Sequence, residues 1–461
     1  MNDGLATELR ALVAEDLASE GGAGLAGDDR REFARQCIFE HLDAMVGSDE
    51  GARSLTGSPA DEQALAQSVL DALFGMGGLQ SLIDDEDIEN IDINGCDRVW
   101  ATFADGSKRL MPPVADTDDQ LVDLIRSAAG RFGLSERRFD LARPELDLRL
   151  PDGSRLSALM AVTARPAVSI RRHRYADLTL DELVDLGTLD QDLASLLGAA
   201  VRSRKNIVVS GAMNSGKTTL LRALAAEIPR RERIVTIEQA FELGLDAAFH
   251  RHPDLVALEA RPDNVEGAGL ISVADLVRRA LRMNADRVIV GEVLGAEVLP
   301  MLNAMSQGRS GSMCTIHADS SAGVFRRIAA YAVQAPERLP LEAANLLVAG
   351  AVHFVVHLDS DMHDTADDAI GYGPSPAGGL WDRHGSGAEF DFPSRPSRHR
   401  FVSSVREVVD ADGPHVISNE IFEPGPDRRA RAAAPLRSQT RAELGRFGYR
   451  LVGAAVGGFP A

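Results

Sequence analysis

The chain has 461 residues, of which 44% are hydrophobic and 26% charged, and 49 Lys and Arg stand against 69 Asp and Glu for a formal net charge of −20. At about 150 residues per domain, this length predicts about three domains with enough apolar residues for a large core. An acidic chain with 5% aromatic residues disfavours nucleic-acid binding, which uses a basic face and aromatic stacking surfaces. Three scattered cysteines, Cys37, Cys96 and Cys314, exclude a disulfide framework and favour a reducing compartment.

The sequence predicts neither a membrane span nor a secretory signal. Its most apolar stretch, 346–358, contains two histidines and is shorter than the roughly 20 residues that a span requires. The N-terminus, MNDGLATEL, has no basic region followed by an apolar one. We therefore expect a cytoplasmic protein that associates with a membrane only through partners.

The first part of the chain predicts helices followed by an α+β domain. Residues 1–75 form a helical region, because ATELRALVAEDLASE and EFARQCIFEHLDAMV space their apolar residues three to four apart. Residues 76–175 combine the helical segment DDQLVDLIRSAAGRFG with alternating, strand-like segments. Hairpin turns are expected at three Asn-Gly or Asp-Gly pairs, which begin at Asn94, Asp105 and Asp152.

A linker helix, 176–204, leads to a second α/β domain at 205–358. There the apolar segments NIVVS, RIVTIE, DRVIVGE, MCTIH and HFVVHL alternate with helices, which predicts a mostly parallel sheet covered on both faces. Residues 359–399 are rich in Gly, Pro, Ser and Asp and are predicted to be a disordered insertion. Residues 400–461 are predicted to form a C-terminal hairpin and tail.

The strongest motif is GAMNSGKT, which begins at Gly211, follows the strand NIVVS and opens the helix GKTTLLRALAAEI. Glycines allow backbone N–H groups to surround an anion, and the helix N-terminus adds partial positive charge. Strand, loop and helix in this order favour a P-loop over a chance glycine turn. Lys217 would bridge the β- and γ-phosphates, and the Thr218 hydroxyl would bind Mg²⁺. The predicted phosphate-binding residues are Gly211, Ala212, Met213, Asn214, Ser215, Gly216, Lys217, Thr218 and Thr219.

Three further candidates follow apolar strands, whose carboxyl ends face the ligand crevice in a doubly wound sheet. Glu292 would orient or deprotonate water, or hold Mg²⁺ through water; the alternative is a solvated cap of the next helix. Glu238 and His317 end two other strands, and all three side chains should converge on the P-loop. A metal site at Cys314-x-x-His317 is disfavoured, because the motif lacks a second ligand pair.

In this order the motifs resemble the secretion-ATPase superfamily of type II secretion, type IV pilus and type IV secretion motors, and most closely its CpaF/TadA-type members of tight-adherence (Flp) pilus assembly. TIEQAFEL is similar to the family's Asp box, RVIVGE to its Walker B motif and GSMCTIHADS to its His box, and INGCDRVW and LPDGSRL to its N-terminal domain. The resemblance covers 76–358 and 400–425. It implies a RecA-like P-loop domain, with Glu238 and Glu292 as catalytic acids and His317 as a γ-phosphate or interface sensor, beside the catalytic Lys217.

The resemblance also implies an assembly. It predicts a homohexameric ATPase with ATP and Mg²⁺ as ligands, peripheral at the cytoplasmic face of the membrane. This motor would power pilus assembly or protein secretion through inner-membrane platform proteins, with no nucleic acid expected. Arginine-bearing segments similar to LEARPDNVEG, LVRRALRMNADR and SIRR add candidates for contacting the nucleotide. These arginines are Arg171, Arg172, Arg261, Arg278 and Arg282.

Four residues depart from the family pattern, and two alternatives stay open. Asn214 replaces a usual glycine, Gln239 an aspartate, Leu294 an arginine and Arg309 a histidine. These changes favour, as one alternative, a nucleotide-binding regulatory subunit with little or no turnover, which a steady-state ATPase assay would reveal. The other is a nucleic-acid translocating motor of the same superfamily, which DNA-stimulated hydrolysis would reveal and which the acidic composition disfavours.

Overall fold

In the computed structural model, the chain forms two units. The structure describes residues 3–19, 21, 24–25, 27–46, 59–104, 107–133, 138–172, 178–263, 267–306, 310–362, 391–392 and 398–450. The first unit comprises Met1–Arg172 with Gly371–Arg395, and the second comprises His173–Ile370 with Pro396–Ala461. No helix in these described ranges is long and apolar enough to cross a membrane.

The first unit begins with helices, of which the first two match the segments whose apolar spacing predicts helices and the third lies within the predicted helical region 1–75. They are α1 (Asp3–Ala18), α2 (Gly27–Val46), α3 (Pro59–Phe74) and, after a short 3₁₀ turn, α4 (Gln80–Asp84). The first three helices bury a core of their own, which includes Leu9, Val13, Ile38 and Leu70.

An antiparallel sheet follows, packed against one helix. Its elements are β1 (Ile88–Asn94), β2 (Val99–Phe103), β3 (Lys108–Met111), α5 (Asp118–Phe132), β4 (Glu145–Arg149), β5 (Arg155–Leu159), β6 (Ala167–Arg171) and β13 (Asp391–Phe392). The strand order is β13-β3-β2-β1-β6-β5-β4 within the described residues. The predicted turns at Asn94-Gly95 and Asp152-Gly153 are confirmed, and both glycines have positive φ. The turn predicted at 105–106 lies outside the described residues, between strands β2 and β3, which pair antiparallel.

The second unit begins with two helices where the sequence predicted one linker helix over 176–204, so that prediction is wrong. These helices are α6 (Leu180–Asp185) and α7 (Gln191–Arg202). The first helix ends before Gly187, whose φ is +68°. The second begins after Asp190, whose side chain caps α7. Their apolar faces belong to the core of the second unit.

The predicted mostly parallel sheet is confirmed. Its parallel strands are β7 (Ile207–Gly211), β8 (Ile234–Glu238), β9 (Leu255–Glu259), β10 (Arg287–Val293), β11 (Met313–His317) and β12 (Phe354–Met362). The helices between them are α8 (Lys217–Ala226), α9 (Val273–Ala280), α10 (Val298–Ser306), α11 (Gly323–Gln334) and α12 (Leu341–Ala351). The edge strand β9 is not among the predicted strands, although its first four residues, 255–258, are apolar.

The C-terminal hairpin extends this sheet with antiparallel strands. The elements are β14 (Arg398–Asp412), β15 (His415–Pro424), β16 (Ala430–Ala432) and α13 (Ser438–Gly445). The complete order in the described part of the second unit is β16-β15-β14-β12-β7-β11-β10-β8-β9.

The insertion predicted at 359–399 is shorter than the sequence suggested. The prediction of disorder is wrong at its ends, because 359–362 continue β12, which pairs with β14 as far as Arg398. It is also wrong at 391–392, which pair with β3. These residues form strands because their backbones pair with a neighbouring strand. Their composition alone does not predict a strand. Residues 363–390 and 393–397 lie outside the described residues, as do 451–461 of the predicted tail.

Candidate active site

The loop between β7 and α8 has the backbone of an anion-binding loop. Gly211 has φ +155° and Gly216 has φ +92°. A Cβ atom at Gly211 would lie 2.4 Å from the Ser215 Oγ and 2.5 Å from the Leu358 carbonyl oxygen, so the tight turn requires glycine. The Ser215 Oγ is buried and has no hydrogen-bond partner among the described residues. Such orphaned hydroxyls are rare, and a phosphate oxygen would satisfy this one.

Lys217 is the first residue of α8 and is 7% exposed. Its Nζ donates to the Ala212 carbonyl oxygen at 2.8 Å and lies 3.3 Å from the Gly211 carbonyl oxygen. Both of these acceptors are neutral carbonyl oxygens. An anionic phosphate oxygen would accept a stronger hydrogen bond from the ammonium than either of them. Thr218 and Thr219 follow it in the first turn of the helix.

A histidine links this lysine to a carboxylate. His317 ends β11, and its Nδ1 lies 3.2 Å from the Lys217 Nζ. Its Nε2 lies 2.7 Å from an oxygen of Glu292 near the end of β10. Because the Lys217 ammonium can only donate, the His317 Nδ1 accepts its hydrogen bond. The proton of the neutral ring is then on Nε2, which donates a hydrogen bond to Glu292. The side chains of His317 and Glu292 are 31% and 36% exposed, so both stay accessible to a ligand.

Glu238 ends β8 and is 3% exposed. Its Oε2 accepts from the backbone N–H groups of Glu242 and Leu243, each at 2.7 Å. Arg222 of α8 donates to the carbonyl oxygens of the same two residues, at 2.8 Å to Leu243. Glu238 therefore holds the loop after β8 from one side while Arg222 holds it from the P-loop helix. This is a structural task, distinct from the catalytic role that the resemblance implies.

Sequence reasoning missed Arg222, although one signal was present. An arginine interrupts the apolar face of the helix GKTTLLRALAAEI and is 5% exposed in the structure. A charged side chain that far inside must have partners, here the two carbonyl oxygens. Glu259 was missed for another reason, because it ends the unpredicted strand β9, where it accepts from the Phe241 N–H at 3.2 Å.

The three predicted arginines of the second unit have other surroundings than this cluster. Within the second unit, Arg261 donates to the Gly269 carbonyl oxygen at 2.9 Å, Arg278 pairs with Asp275 and Glu337, and Arg282 is exposed. None of the three forms a hydrogen bond or ion pair with the P-loop in the described part of the chain. The other two, Arg171 and Arg172, lie at the end of β6 in the first unit.

No group of three or more His, Cys, Asp or Glu side chains suited to a metal is present in the described ranges. Cys314, three residues before His317, is fully buried in β11, and burial raises the pKa of its thiol far above the ordinary range. Of the four departures, Asn214 has φ +58°, Gln239 and Leu294 are exposed, and Arg309 lies outside the described residues.

A P-loop after a buried parallel strand, with a lysine, a histidine and a carboxylate in contact beside it, defines a P-loop ATPase of the α/β class. The model of the type II/IV secretion system protein family (T2SSE) matches residues 75–376, more than half of the chain. The chain therefore belongs to this family of secretion and pilus ATPases.

Two curated relatives are similar to the chain over most of their own length. A putative conjugal transfer protein of Mycobacterium tuberculosis is 35% identical over 298 residues, which make up 63% of this chain and 81% of the relative. The type IV secretion system protein PtlH of Bordetella pertussis is 31% identical over 311 residues, 61% of this chain and 88% of the relative. A solved structure, the VirB11 ATPase of the Brucella suis type IV secretion system in complex with sulphate, is 27% identical over 66% of this chain and 93% of its own, with a TM-score of 0.33. The predicted family is confirmed, and the CpaF/TadA subtype stays a prediction.

Proposed function

We propose that this ATPase is the motor of a tight-adherence (Flp) pilus, the CpaF/TadA type within its family. One observation carries the chemical part of the proposal: Lys217, His317 and Glu292 form a continuous chain of contacts of 3.2 Å and 2.7 Å beside the P-loop. These contacts support the proposal that a phosphate-binding cation, an imidazole and a carboxylate would surround the γ-phosphate. The motif order of the whole chain supports the pilus subtype.

Each member of the chain has a distinct task in the proposed hydrolysis. Lys217 would transfer its hydrogen bonds from the carbonyl oxygens of Gly211 and Ala212 to the β- and γ-phosphate oxygens. Glu292, which accepts a hydrogen bond from the Nε2–H of His317, would orient the attacking water and accept its proton. His317 contacts both of the others and would report whether the γ-phosphate is present.

Magnesium fits the donors that this site offers. Mg²⁺ prefers oxygen ligands and binds through one or two protein groups together with water and substrate phosphates. Thr218, at the start of α8, and Glu292, through water, would hold it beside Lys217. When bound, the ion neutralises charge on the phosphate oxygens.

We further propose that the protein works as a homohexamer at the cytoplasmic face of the membrane, attached through inner-membrane platform proteins. Arg261 and Arg278 have local partners, so further positive charge for the γ-phosphate would come from the N-terminal domain or from a neighbouring subunit, with Arg171 and Arg172 as first candidates. An arginine supplied in this way is worth about 10³–10⁵ in rate. Specific activity should rise with protein concentration and fall sharply in Arg171→Ala or Arg172→Ala, whereas concentration-independent turnover by a monomer would contradict the proposal.

A complementation experiment tests the pilus assignment. Cells lacking the gene should lose surface Flp pili, wild-type protein should restore them, and Lys217→Ala should not. A phosphate-release assay on the purified protein, with and without single-stranded DNA, separates the motor from both alternatives. A regulatory subunit would bind nucleotide without turnover, and a nucleic-acid motor would be stimulated by DNA.

A further inference from the structure

The P-loop contains a residue in an unfavourable backbone conformation. Asn214 has φ +58°, in the left-handed region that glycine adopts freely and other residues adopt at a cost. Asparagine tolerates this region better than most side chains, but an isolated loop with Asn at this position would still favour other conformations. Since Asn214 lies between Gly211 and Gly216, a change of its φ would move the N–H groups that surround the phosphates.

A side chain from the C-terminal hairpin holds this residue in place. Arg400 lies on β14, paired with Ser360 of β12, and β12 is the direct neighbour of the P-loop strand β7. Its Nε donates to the Asn214 carbonyl oxygen at 2.9 Å. Its Cδ lies so close to the loop that a Cβ atom at Gly216 would be 3.2 Å away. Arg400 therefore contacts the loop on both sides of Ser215.

We propose that Arg400 is a positioning residue for nucleotide binding, which keeps the P-loop in its phosphate-binding conformation by holding the carbonyl of the left-handed Asn214. The proposal rests on the assignment of the P-loop as the nucleotide site. Arg400 acts before the nucleotide arrives: it raises the fraction of molecules whose loop is ready to bind. It need not contact the nucleotide.

The expected effect follows from this fraction. The apparent Kd equals the intrinsic Kd divided by the competent fraction. When Arg400 is removed, the cost of the left-handed conformation at Asn214 lowers that fraction, and a Kd and KM about fivefold higher is expected. The kcat value should stay within about twofold, because nucleotide bound to the loop restores the same conformation.

Glycine at position 214 gives the decisive test, since it removes the cost that Arg400 offsets. In Arg400→Ala combined with Asn214→Gly, the Kd should return to within about twofold of the wild type. A direct contact between Arg400 and a phosphate would respond differently: Arg400→Ala would weaken binding equally in both backgrounds, and Arg400→Lys would restore it through charge alone.

The experiment measures Kd by titration with fluorescent ADP, kcat and KM by phosphate release, and thermal unfolding for each variant. Arg428→Ala is the matched control, because Arg428 is a half-exposed arginine near the same strands that pairs with Asp359 and lies over Phe401. It should leave Kd unchanged. If Arg400→Ala does not fold, Arg400→Gln, which keeps an amide donor and most of the side-chain length, should give an intermediate Kd. An unchanged Kd in Arg400→Ala and Arg400→Gln, a fall in kcat with unchanged KM, or a failure of Asn214→Gly to restore binding would overturn the proposal.

Discussion

The two edges of the parallel sheet in the second unit use charged side chains in opposite ways. At the carboxyl edge, His317 and Glu292 are about one third exposed and are connected to each other and to Lys217 by single contacts. At the amino edge, Arg287 begins β10 with its side chain 0% exposed, and Glu232 binds it at 2.6 Å. The Arg287–Glu232 pair is enclosed, whereas His317 and Glu292 are accessible, and the two edges are called the enclosed edge and the accessible edge after these residues.

The buried pair belongs to a wider network of ion pairs, whose outer members Arg204 and Asp286 are 42% and 40% exposed. Arg204 shares Glu232 with Arg287 at 3.1 Å and also binds Asp286 at 3.2 Å. The N–H of Arg233 donates to Asp286, and this hydrogen bond lowers the pKa of the Asp286 carboxyl. A charged residue is therefore a candidate for binding or catalysis only when other protein groups do not already fill its hydrogen-bonding positions. The following variants test this difference, from the largest expected effect to the smallest.

Lys217→Ala should abolish turnover and weaken nucleotide binding together, because in the proposed site Lys217 would contact phosphate in both the ground state and the transition state. The loss of turnover should exceed that of any other single change. Fluorescent-ATP titration and phosphate release on one preparation measure both effects. Lys205→Ala is the matched control at the amino edge, where the lysine pairs with Glu443. Its nucleotide affinity and turnover should match the wild type, and a loss equal to that of Lys217→Ala would remove the distinction between the edges.

Glu292→Gln should lower kcat by about 10²–10⁴ because the amide cannot accept a proton from water. Nucleotide affinity should change less than about twofold, since little of this effect is expressed in the ground state. The same two assays measure it, with Glu238→Gln for comparison. If Glu292→Gln hydrolyses ATP normally, Glu292 is a helix cap, and Glu238 becomes the better candidate for the base despite its hydrogen bonds to the loop.

The sequence predicted the accessible edge better than the enclosed one. Gly211, Lys217, Glu292 and His317 each follow or end an apolar strand, so the rule for parallel sheets places them together without knowledge of the strand order. The contacts of Arg222 with the loop after β8 depend on a tertiary approach between residues about 20 positions apart. No local pattern encodes such an approach.

Long-range strand pairing was equally invisible in the sequence. The hairpin of β14 and β15 was predicted, but its attachment to β12 was not, because antiparallel strands carry no signal for the neighbour they choose outside their own hairpin. The position of Arg400 at the P-loop depends on that attachment. The prediction of a single linker helix is wrong for a local reason, because Gly187 and the capping residue Asp190 divide this segment into two helices.

Glu232→Ala tests the enclosed edge. It leaves the fully buried Arg287 without its carboxylate, and breaking a buried pair in this way costs about 3–5 kcal/mol of unfolding free energy. Urea unfolding monitors the loss, and kcat measured at a temperature where the variant is folded should stay close to the wild type. Glu227→Ala, which breaks the more exposed pair with Arg202, should cost less than about 1 kcal/mol. Equal losses of unfolding free energy in the two variants would show that the buried pair contributes no more to stability than the exposed pair.

The smallest expected effect concerns pH and His353, just before β12. Burial, helped by the nearby Lys205 and Arg437, lowers the pKa of His353 to about 4, and its Nδ1 accepts the Asn206 N–H at 3.0 Å. The unfolded chain, with an ordinary histidine pKa near 6.5, therefore takes up the proton first as the pH falls. The stability that the neutral imidazole provides is complete above about pH 6.5 and is lost between about pH 6.5 and 4.

For this histidine alone, the free energy of unfolding should fall by about 2 kcal/mol between pH 7 and pH 5. His353→Asn removes the titration while its Oδ1 can accept the Asn206 N–H in place of Nδ1. Urea unfolding at both pH values, in the wild type and in His353→Asn, isolates the contribution, because the other titrating groups are common to the two proteins. The variant should lose about 2 kcal/mol less than the wild type over this range. An identical pH dependence in both would mean that His353 does not carry the acid sensitivity of the amino edge.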